Sequence, residues 1–181
     1  MEQTNKVLFP GVQDGETFMV GDIEFIKFPD QDGVTPVLAK GIAFFSSFGG
    51  TNNLAESPIL TRMRKEFLPQ VVEAVGEENI CTFKTDLTTW DGLKSYGELE
   101  SKISLPTMDF YRKHVDIFDQ HKVGRWSWLA TADSAKPHDD PLCVLCVSPS
   151  GGLLNVDCLI GYYGVRPFLC FVSSIFGPCE Q

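Results

Sequence analysis

The sequence predicts one domain of the α+β class, in which helical and strand-forming segments occupy separate parts of the chain. Two amphipathic helical patterns lie in its middle third, and β-like runs begin the chain and fill its C-terminal half. The length of 181 residues fits a single domain that buries well over half of its unfolded surface. A parallel α/β fold would require strands and helices to alternate, and they do not.

Composition and charge exclude several classes of partner. The chain is 43% hydrophobic and 22% charged, with a formal net charge of -9. Nucleic acids and anionic membranes are bound through basic patches, so we expect neither as a partner. No apolar run reaches membrane-spanning length, and residues 1–20 lack the apolar core of a signal peptide. We therefore expect a soluble protein without membrane insertion.

The N-terminal region predicts an arm followed by a β-hairpin. Residues 1–16 are polar and contain glycine, as expected of an arm that precedes the domain at 17–181. The runs Thr17 to Phe28 and Val34 to Phe45 are rich in β-branched and aromatic residues. Turn-forming residues Asp30-Gln31-Asp32-Gly33 separate the runs, which therefore predict the two strands of a hairpin.

Two helices are predicted in the middle of the chain. Ser57 supplies a capping hydroxyl, Pro58 suits the first helical position, and Pro69 is expected to interrupt this helix. Its apolar stripe has i, i+4, i+8 spacing and consists of Ile59, Met63 and Phe67. Thr107 caps the second helix. A general-base role for His114 or His121 near the end of that helix would need an acid partner, and none stands at a telling spacing.

Short strands fill the C-terminal half. Trp126, Trp128 and Ala130 share one face of the first strand, which predicts a core role for both tryptophans. The continuously apolar run 142–147 is typical of a strand that is covered on both faces, and the turn at 148–152 follows it. A last strand is expected from Val165 to Val172. Arg166 lies alone among its apolar neighbours, so we expect it to hold a loop to the sheet. Strands at 80–84 and 102–105, with an excursion loop at 85–99, complete the prediction.

The segment 153–163, Leu-Leu-Asn-Val-Asp-Cys-Leu-Ile-Gly-Tyr-Tyr, is too apolar for an ordinary loop between strands. Two interpretations remain open: its side chains belong to the core, or they form an exposed patch that marks an interaction site. Tyrosine favours such surfaces because it offers a large contact area at low entropic cost.

No catalytic motif is present among GxGxxG, GxxxxGK[ST], HExxH and GxSxG. Six cysteines in a chain of this size need no disulfide framework. Cys143 and Cys146 have CxxC spacing, but in a strand they point to opposite faces, which favours buried thiols over a redox pair or half a zinc site. A calcium site built from Asp139, Asp140, Asn155 and Asp157 is the alternative to a solvated loop. We expect no catalytic residue and no metal or cofactor.

The C-terminal region lacks several residue types, and five of them share a genetic property. Residues 137–179 contain no Glu, Gln, Lys, Met or Trp, although Glu and Lys are common in proteins. Strand-rich segments deplete Glu and Lys to some extent. These five types are also the ones that adenine-directed mutation of an AAY codon cannot produce. The absence therefore has two interpretations, one structural and one genetic.

Several short segments form a recognisable set. They are Asn53-Leu54-Ala55-Glu56-Ser57 with the helix to Phe67-Leu68, Thr85-Asp86-Leu87-Thr88, Ser95-Tyr96-Gly97, Lys102-Ile103-Ser104-Leu105-Pro106-Thr107, Trp126-Ser127-Trp128-Leu129-Ala130-Thr131, Gly164-Val165-Arg166-Pro167-Phe168 and Ser173-Ser174-Ile175-Phe176. With them the chain from about Thr17 onward resembles a family of domains from gut Firmicutes and their phages. Its C-terminal half resembles the C-type-lectin-like fold of formylglycine-generating enzymes and of variable proteins of diversity-generating retroelements.

The resemblance implies a C-type-lectin-like fold with two helices and short, mostly antiparallel strands. It implies a ligand-binding face within 126–171, diversified through adenine mutagenesis, that recognises a protein or glycan on a cell surface. The expected face is His138, Asp139, Asp140, Leu142, Leu145, Asn155, Asp157, Leu159, Ile160, Tyr162 and Tyr163. The expected scaffold is Trp126, Trp128, Gly164, Arg166 and Pro167.

The leading prediction is a non-catalytic module of phage or prophage origin, associated with a virion or with the bacterial cytoplasm before assembly. One alternative is an enzyme related to the formylglycine-generating oxidases, which would bind copper through a cysteine pair. Another is a structural virion or assembly subunit whose apolar patch is a contact between copies of the chain.

Overall fold

Two β-sheets and two helical regions form the body of the protein in the computed structural model, which describes residues 7–178. One sheet contains, in spatial order, β1 (Thr17–Val20), β2 (Ile23–Lys27), β3 (Val34–Ala39) and β11 (Phe168–Val172). The other contains β4 (Phe44–Ser46), β10 (Tyr163–Val165), β7 (Ser127–Ala132), β8 (Cys143–Val147) and β9 (Leu153–Asp157). A separate hairpin pairs β5 (Phe83–Asp86) with β6 (Glu98–Ser101).

The pairing of these strands confirms the α+β class. All pairs are antiparallel except β10 with β7, which are parallel neighbours in the five-stranded sheet. The N-terminal strands meet the end of the chain through β3 and β11, whose register runs from Val34↔Val172 to Leu38↔Phe168. The first three strands and the last strand of the described residues therefore share one sheet.

The first helical region begins at Ser57, as predicted. It consists of α1 (Pro58–Arg62), a π-helical turn (Met63–Phe67) and α2 (Leu68–Val75). The Ser57 hydroxyl accepts a hydrogen bond from the Ile59 amide at 3.1 Å. The predicted interruption at Pro69 takes the form of the π turn that precedes it, after which Pro69 lies in the first turn of α2 and Gly76 caps the end of that helix. A first-turn proline has no amide hydrogen that the helix needs.

The second helical region begins at Thr107, whose hydroxyl accepts from the Phe110 amide at 3.1 Å. It consists of α3 (Met108–Lys113) and α4 (Val115–Gln120), which are separated at His114. The His114 ring is buried against Phe28 and Phe110, and burial lowers its pKa. No helix within 7–178 has both the length and the apolarity that crossing a membrane requires.

Two hydrophobic clusters lie on opposite faces of the five-stranded sheet. Trp128, Ala130, Val144 and Cys146 belong to one cluster, together with the first helical region. Leu129 and Leu145 belong to the other, together with residues of α3 and α4. Side chains of a strand alternate between faces, so β7 and β8 are covered on both sides. This double cover explains their continuously apolar sequences.

The structure differs from the predicted N-terminal hairpin in both of its strands. The run from Thr17 to Phe28 is itself a tight hairpin, because the chain turns at Gly21, where φ is +58°. The run from Val34 to Phe45 is divided, and its end crosses into the other sheet as β4. The predicted strands 80–84 and 102–105 lie mostly outside the observed hairpin. Ile80 and Ser104 instead form isolated bridges to β11.

The predicted arm is partly docked on the body. Residues 1–6 lie outside the described part of the chain. The amides of Leu8 and Phe9 donate to the Ile175 carbonyl at 2.8 and 2.9 Å, and Gly15 donates to Lys27 at 2.8 Å. Residues 7–16 therefore pack against the ends of the four-stranded sheet.

The predicted scaffold residues connect the two sheets. Buried Arg166 donates from Nε to the Ala39 carbonyl at 3.1 Å and from Nη2 to the Lys40 carbonyl at 3.0 Å. Burial lowers the pKa of Arg166 to about 10, which leaves it charged at neutral pH. The Pro167 carbonyl accepts from the Ala39 amide at 2.9 Å. A side chain at Gly164 would meet Ile42 Cδ1 at 2.3 Å, so this position favours glycine.

Candidate functional site

Four loops are joined by hydrogen bonds at the end of the five-stranded sheet where β7 ends and β8 begins. They are the loops 46–53, 87–97, 133–142 and 158–162. The Cys158 amide donates to the Leu142 carbonyl at 2.7 Å, and the Cys158 carbonyl accepts from Phe48 and Gly49. The Trp90 amide donates to the Ala132 carbonyl at 2.8 Å. Residues distant in sequence are thus fixed beside one another.

Asn52 lies at the centre of this loop cluster and is fully buried. Its amide nitrogen donates to the Ser134 and Cys143 carbonyls, both at 2.9 Å. Its amide oxygen accepts from the Tyr96 hydroxyl at 2.6 Å. Sequence reasoning missed this residue, because one asparagine in a Gly/Ser/Asn loop gives no sign that its partners lie 44 to 91 positions away.

A second polar contact links the loop 87–97 to the loop 133–142. The Asp91 carboxylate accepts hydrogen bonds from Ser134 Oγ at 2.6 Å and Thr89 Oγ1 at 2.5 Å, and it lies 3.0 Å from His138 Nδ1. These bonds, from Ser134 foremost, hold the pKa of Asp91 well below its usual range. His138 therefore belongs to a clamp between loops, a contact that sequence reasoning did not predict.

Asp157 organises the loop 158–162. One of its carboxylate oxygens accepts from the Leu159 amide at 2.7 Å and from the Ile160 amide at 3.4 Å. Its backbone carbonyl accepts from Gly161 at 3.0 Å. A side chain at Gly161 would lie 2.8 Å from Trp128 Cη2, so the chain can pass over the indole only at a residue without Cβ. The loop is therefore held in place at both its start and its end.

Four large apolar side chains project from this framework into solvent. We call them the apolar tip: Leu142, Leu159, Ile160 and Tyr162, with exposed fractions of 44%, 59%, 81% and 69%. The segments that carry Leu142 and Leu159 are joined, since the Cys158 amide donates to the Leu142 carbonyl. Leu153 and Val156 are half-buried. The apolar segment 153–163 is thus divided between a partly buried strand and an exposed loop.

The other residues of the expected face occupy different environments. Asp139, Asp140 and Asn155 are exposed, and Tyr163 is half-buried with its ring 5.0 Å from that of Trp128 and 5.7 Å from that of Trp126. Leu145 requires a correction: only 3% of it is exposed, because it points from the middle of β8 into the cluster covered by α3 and α4. It cannot contact a ligand while the domain is folded.

The cysteines of the described residues are free thiols: Cys81, Cys143, Cys146, Cys158 and Cys170. Cys179 lies outside the described residues. Cys143 and Cys146 point to opposite faces of β8, and burial raises the pKa of Cys146 to about 12. Between residues 7 and 178, no three or more His, Cys, Asp or Glu side chains are grouped so that they could hold a metal ion.

Away from the apolar tip, a cleft lies between the β5–β6 hairpin, α3 and the four-stranded sheet. This cleft has a volume of about 690 Å³, with Phe83, Met108 and Phe168 among its apolar lining residues. Trp90, 60% exposed, lies on its rim. Two of the hydroxyls that line it are bonded to backbone amides at the start of α3: Thr107 accepts from Phe110, and Thr131 accepts from Met108. Sequence reasoning did not predict this cleft.

Replacing Asp157 by alanine should loosen the loop 158–162 without unfolding the domain. The loop loses one side-chain acceptor that serves two amides, which costs about 0.5–2 kcal/mol. We expect faster amide hydrogen exchange at residues 158–162, measured by mass spectrometry. Asp140→Ala is the matched control, since it removes the same charge from an exposed side chain. Equal exchange in the Asp157→Ala protein and the parent would contradict this role.

Comparisons with known proteins returned no match. No family model, no curated protein and no solved structure is similar enough to this chain to show its family. Its function is therefore inferred from the chemistry of its own surface.

Proposed function

We propose that the protein is a non-catalytic binding module with a C-type-lectin-like fold, which uses the apolar tip to bind a protein or glycan on a cell surface. The observation that carries this proposal is that large apolar side chains are exposed on a loop whose backbone is fixed. Flexible loops lose ordering entropy on binding, whereas a fixed loop has already lost it. Asp157 and the Trp128 ring together provide that preorganisation.

The chemistry of the tip supports a binding role. Contiguous exposed apolar patches mark interaction sites in soluble proteins. Binding energy concentrates in a few apolar and aromatic anchors surrounded by polar groups. Here Leu159, Ile160 and Tyr162 supply the anchors, and Asp139 and Asp140 lie exposed in the neighbouring loop. We expect the anchors to supply affinity and the polar side chains to supply specificity.

The placement of the tip also supports diversification by a retroelement. The region without Glu, Gln, Lys, Met and Trp begins at Pro137 and includes every residue of the tip, together with the buried strands β8 and β11. Solvent-facing positions tolerate substitution with little loss of stability. A phage or prophage could vary these positions while the core of β7 and β8 stays constant. The two helical regions and short, mostly antiparallel strands support the finer fold assignment.

A combinatorial library tests this function. Five exposed positions are varied with NNY codons: Leu142, Asn155, Leu159, Ile160 and Tyr162. A matched library varies five buried positions: Val144, Leu145, Cys146, Val165 and Leu169. Displayed on yeast, about half or more of the tip library should resist protease, against a small minority of the core library. Selection on a purified bacterial surface protein should then enrich binders.

Two results would contradict the proposal. One is that the two libraries unfold to the same extent, which would mean that the tip is not a tolerant surface. The other is that no binder is enriched from a well-folded tip library. Light scattering of the parent over a range of concentrations tests the alternative of an assembly subunit, because association that disappears in Leu159→Ser would make the tip a contact between copies.

A further inference from the structure

Strand β9 forms a free edge of the five-stranded sheet. Within residues 7–178 it pairs with β8 and with no other strand. Its five residues are in regular register with β8, from Cys143↔Asp157 to Val147↔Leu153. The opposite edge, β4, has only three residues, and the Arg62 guanidinium lies 4.0 Å above the Phe44 ring there. The β9 edge is longer and has no such cover.

The hydrogen-bond phase of β9 fixes which backbone groups face outward. At one end of the ladder the Cys158 amide donates to the Leu142 carbonyl, and at the other Ser148 donates to Gly152. Bonded and non-bonded pairs alternate along an antiparallel ladder. The bonds between β8 and β9 therefore fall at Val156 and Leu154. The N–H and C=O groups of Leu153 and Asn155 and the N–H of Asp157 point away from the sheet.

Lysine, proline and bulges, which normally protect an edge strand, are missing from β9. Proteins blunt such edges with lysine, proline, bulges or a covering segment, because unpaired backbone groups template the addition of another strand. The sequence Leu-Leu-Asn-Val-Asp contains neither lysine nor proline, and its ladder with β8 has no bulge. Leu154 is 49% exposed on the face that it shares with Val156. The edge is suited to accept a strand.

The other face of the same edge is acidic. The Asn155 side chain donates to the Asp133 carboxylate at 3.2 Å. Asp157 is the cross-strand partner of Cys143, and the Asp133 amide donates to the Cys143 carbonyl at 3.2 Å, so both acidic residues flank Cys143. Burial raises the pKa of the Cys143 thiol, and these carboxylates raise it further. The basic side chains nearby have other acidic neighbours: Lys136 lies 3.9 Å from Asp140, and His138 lies 3.0 Å from Asp91.

We propose that β9 binds an extended segment of a partner protein by strand addition, and that this segment alternates apolar and basic side chains. The apolar side chains would lie beside Leu154 and Val156, and the basic ones beside Asn155 and Asp133. Backbone hydrogen bonds to Asn155 would fix the register. This inference rests on the proposed binding function, and it specifies the partner as a protein instead of a glycan.

A second copy of this chain suits the edge less well. In an antiparallel pair of β9 strands centred on Asn155, the Asp133 carboxylates of both copies would lie on the same face of the joined sheet, one on each side of the two-fold axis. Like charges that close repel each other, and each chain already has a net charge of -9. A basic strand from another protein meets the same carboxylates with attraction.

Synthetic peptides test the proposal on the full chain. The probe is a capped seven-residue peptide that alternates valine and lysine, titrated against the protein and followed by amide NMR. We expect binding that protects the Asn155 and Asp157 amides from hydrogen exchange. A peptide that alternates valine and glutamate should bind at least about tenfold more weakly. N-methylation of the peptide amides that face β9 should abolish binding. N-methylation of the alternate amides, which face away from β9, should leave binding unaffected.

Asn155→Pro is the matched change in the protein. Proline there removes an amide that bonds nothing in β8, so the fold should persist while peptide affinity falls about tenfold or more. Asn155→Ala keeps the amide and should bind normally within about twofold. If Asn155→Pro does not fold, the methylated peptides still decide the matter, since they leave the protein unchanged.

The outcomes separate this inference from the proposed function. Failure of the valine–lysine peptide to bind, or equal binding by all peptides, would overturn strand addition. Concentration-dependent dimers that Asn155→Pro abolishes would overturn the choice of partner. If a ligand captured by the parent still depends on Leu159 and Tyr162 but not on the Asn155 amide, the proposed function stands and strand addition is wrong. Binding that depends both on Leu159 and Tyr162 and on the Asn155 amide would support the proposed function and strand addition together.

Discussion

Replacing Trp128 by alanine should lower the free energy of unfolding by about 3–5 kcal/mol, as expected for truncation of a large buried aromatic residue. Only 1% of Trp128 is exposed, and its Nε1 donates to the Ser46 carbonyl at 2.9 Å. Its ring lies 5.4 Å from that of Phe48 and 5.0 Å from that of Tyr163. Alanine would leave a cavity and an unpaired carbonyl. Urea denaturation monitored by circular dichroism measures the difference.

Two control variants separate the loss of buried area from the other effects of the substitution. Trp128→Phe keeps most of the buried ring area and loses the hydrogen bond to Ser46, so it should be less destabilising than alanine. Trp90→Ala removes an exposed tryptophan and should change stability by less than about 1 kcal/mol. A loss below about 1 kcal/mol for Trp128→Ala would show that the indole is not the support on which the loop 158–162 rests.

Local patterns in the sequence predicted those features whose causes are themselves local. The start of the first helix followed from Ser57 and Pro58, because a cap and a first-turn proline act within a few residues. The turn at 148–152 followed from its Ser, Pro and Gly residues, and the structure places it between β8 and β9. The shared face of Trp128 and Ala130 followed from strand alternation.

Features that depend on distant partners were not predictable in this way. The clamp at Asp91 and the buried hydrogen bonds of Asn52 require contacts between loops that are far apart in the sequence. The burial of Leu145 depends on the packing of α3 and α4 against one face of β8. Its neighbour Leu142 has similar chemistry and is exposed, because it lies beyond the end of that strand. Residue type alone does not separate them.

The sequence also left open whether the segment 153–163 is core or surface, and both interpretations contain part of the answer. Leu153 and Val156 are anchored by the ladder with β8, whereas Leu159 and Ile160 lie beyond it on a loop held by Asp157. Hydrophobicity predicts burial only where a neighbouring element exists to cover the side chain. No element of the described chain covers the apolar tip.

Replacing Leu159 and Tyr162 together by serine should abolish most ligand binding while the domain stays folded. Both side chains are more than half exposed, so their removal creates no cavity and should change the melting temperature by only a few degrees. Truncating a hot-spot anchor costs about 2 kcal/mol or more, and the costs of neighbouring anchors do not add fully, so affinity should fall by at least about 100-fold. The matched control is Met19→Ser, which removes an exposed apolar side chain from β1 in the other sheet.

The most direct test of the binding role is the affinity of these three proteins for one ligand, measured by interferometry. The ligand is the tightest binder of the parent chain on arrays of bacterial surface proteins and glycans. We predict that the parent and Met19→Ser bind it equally, and that the Leu159→Ser, Tyr162→Ser protein binds it about 100-fold more weakly. A folded double variant that binds as tightly as the parent would contradict the assignment of the apolar tip as the ligand-binding surface.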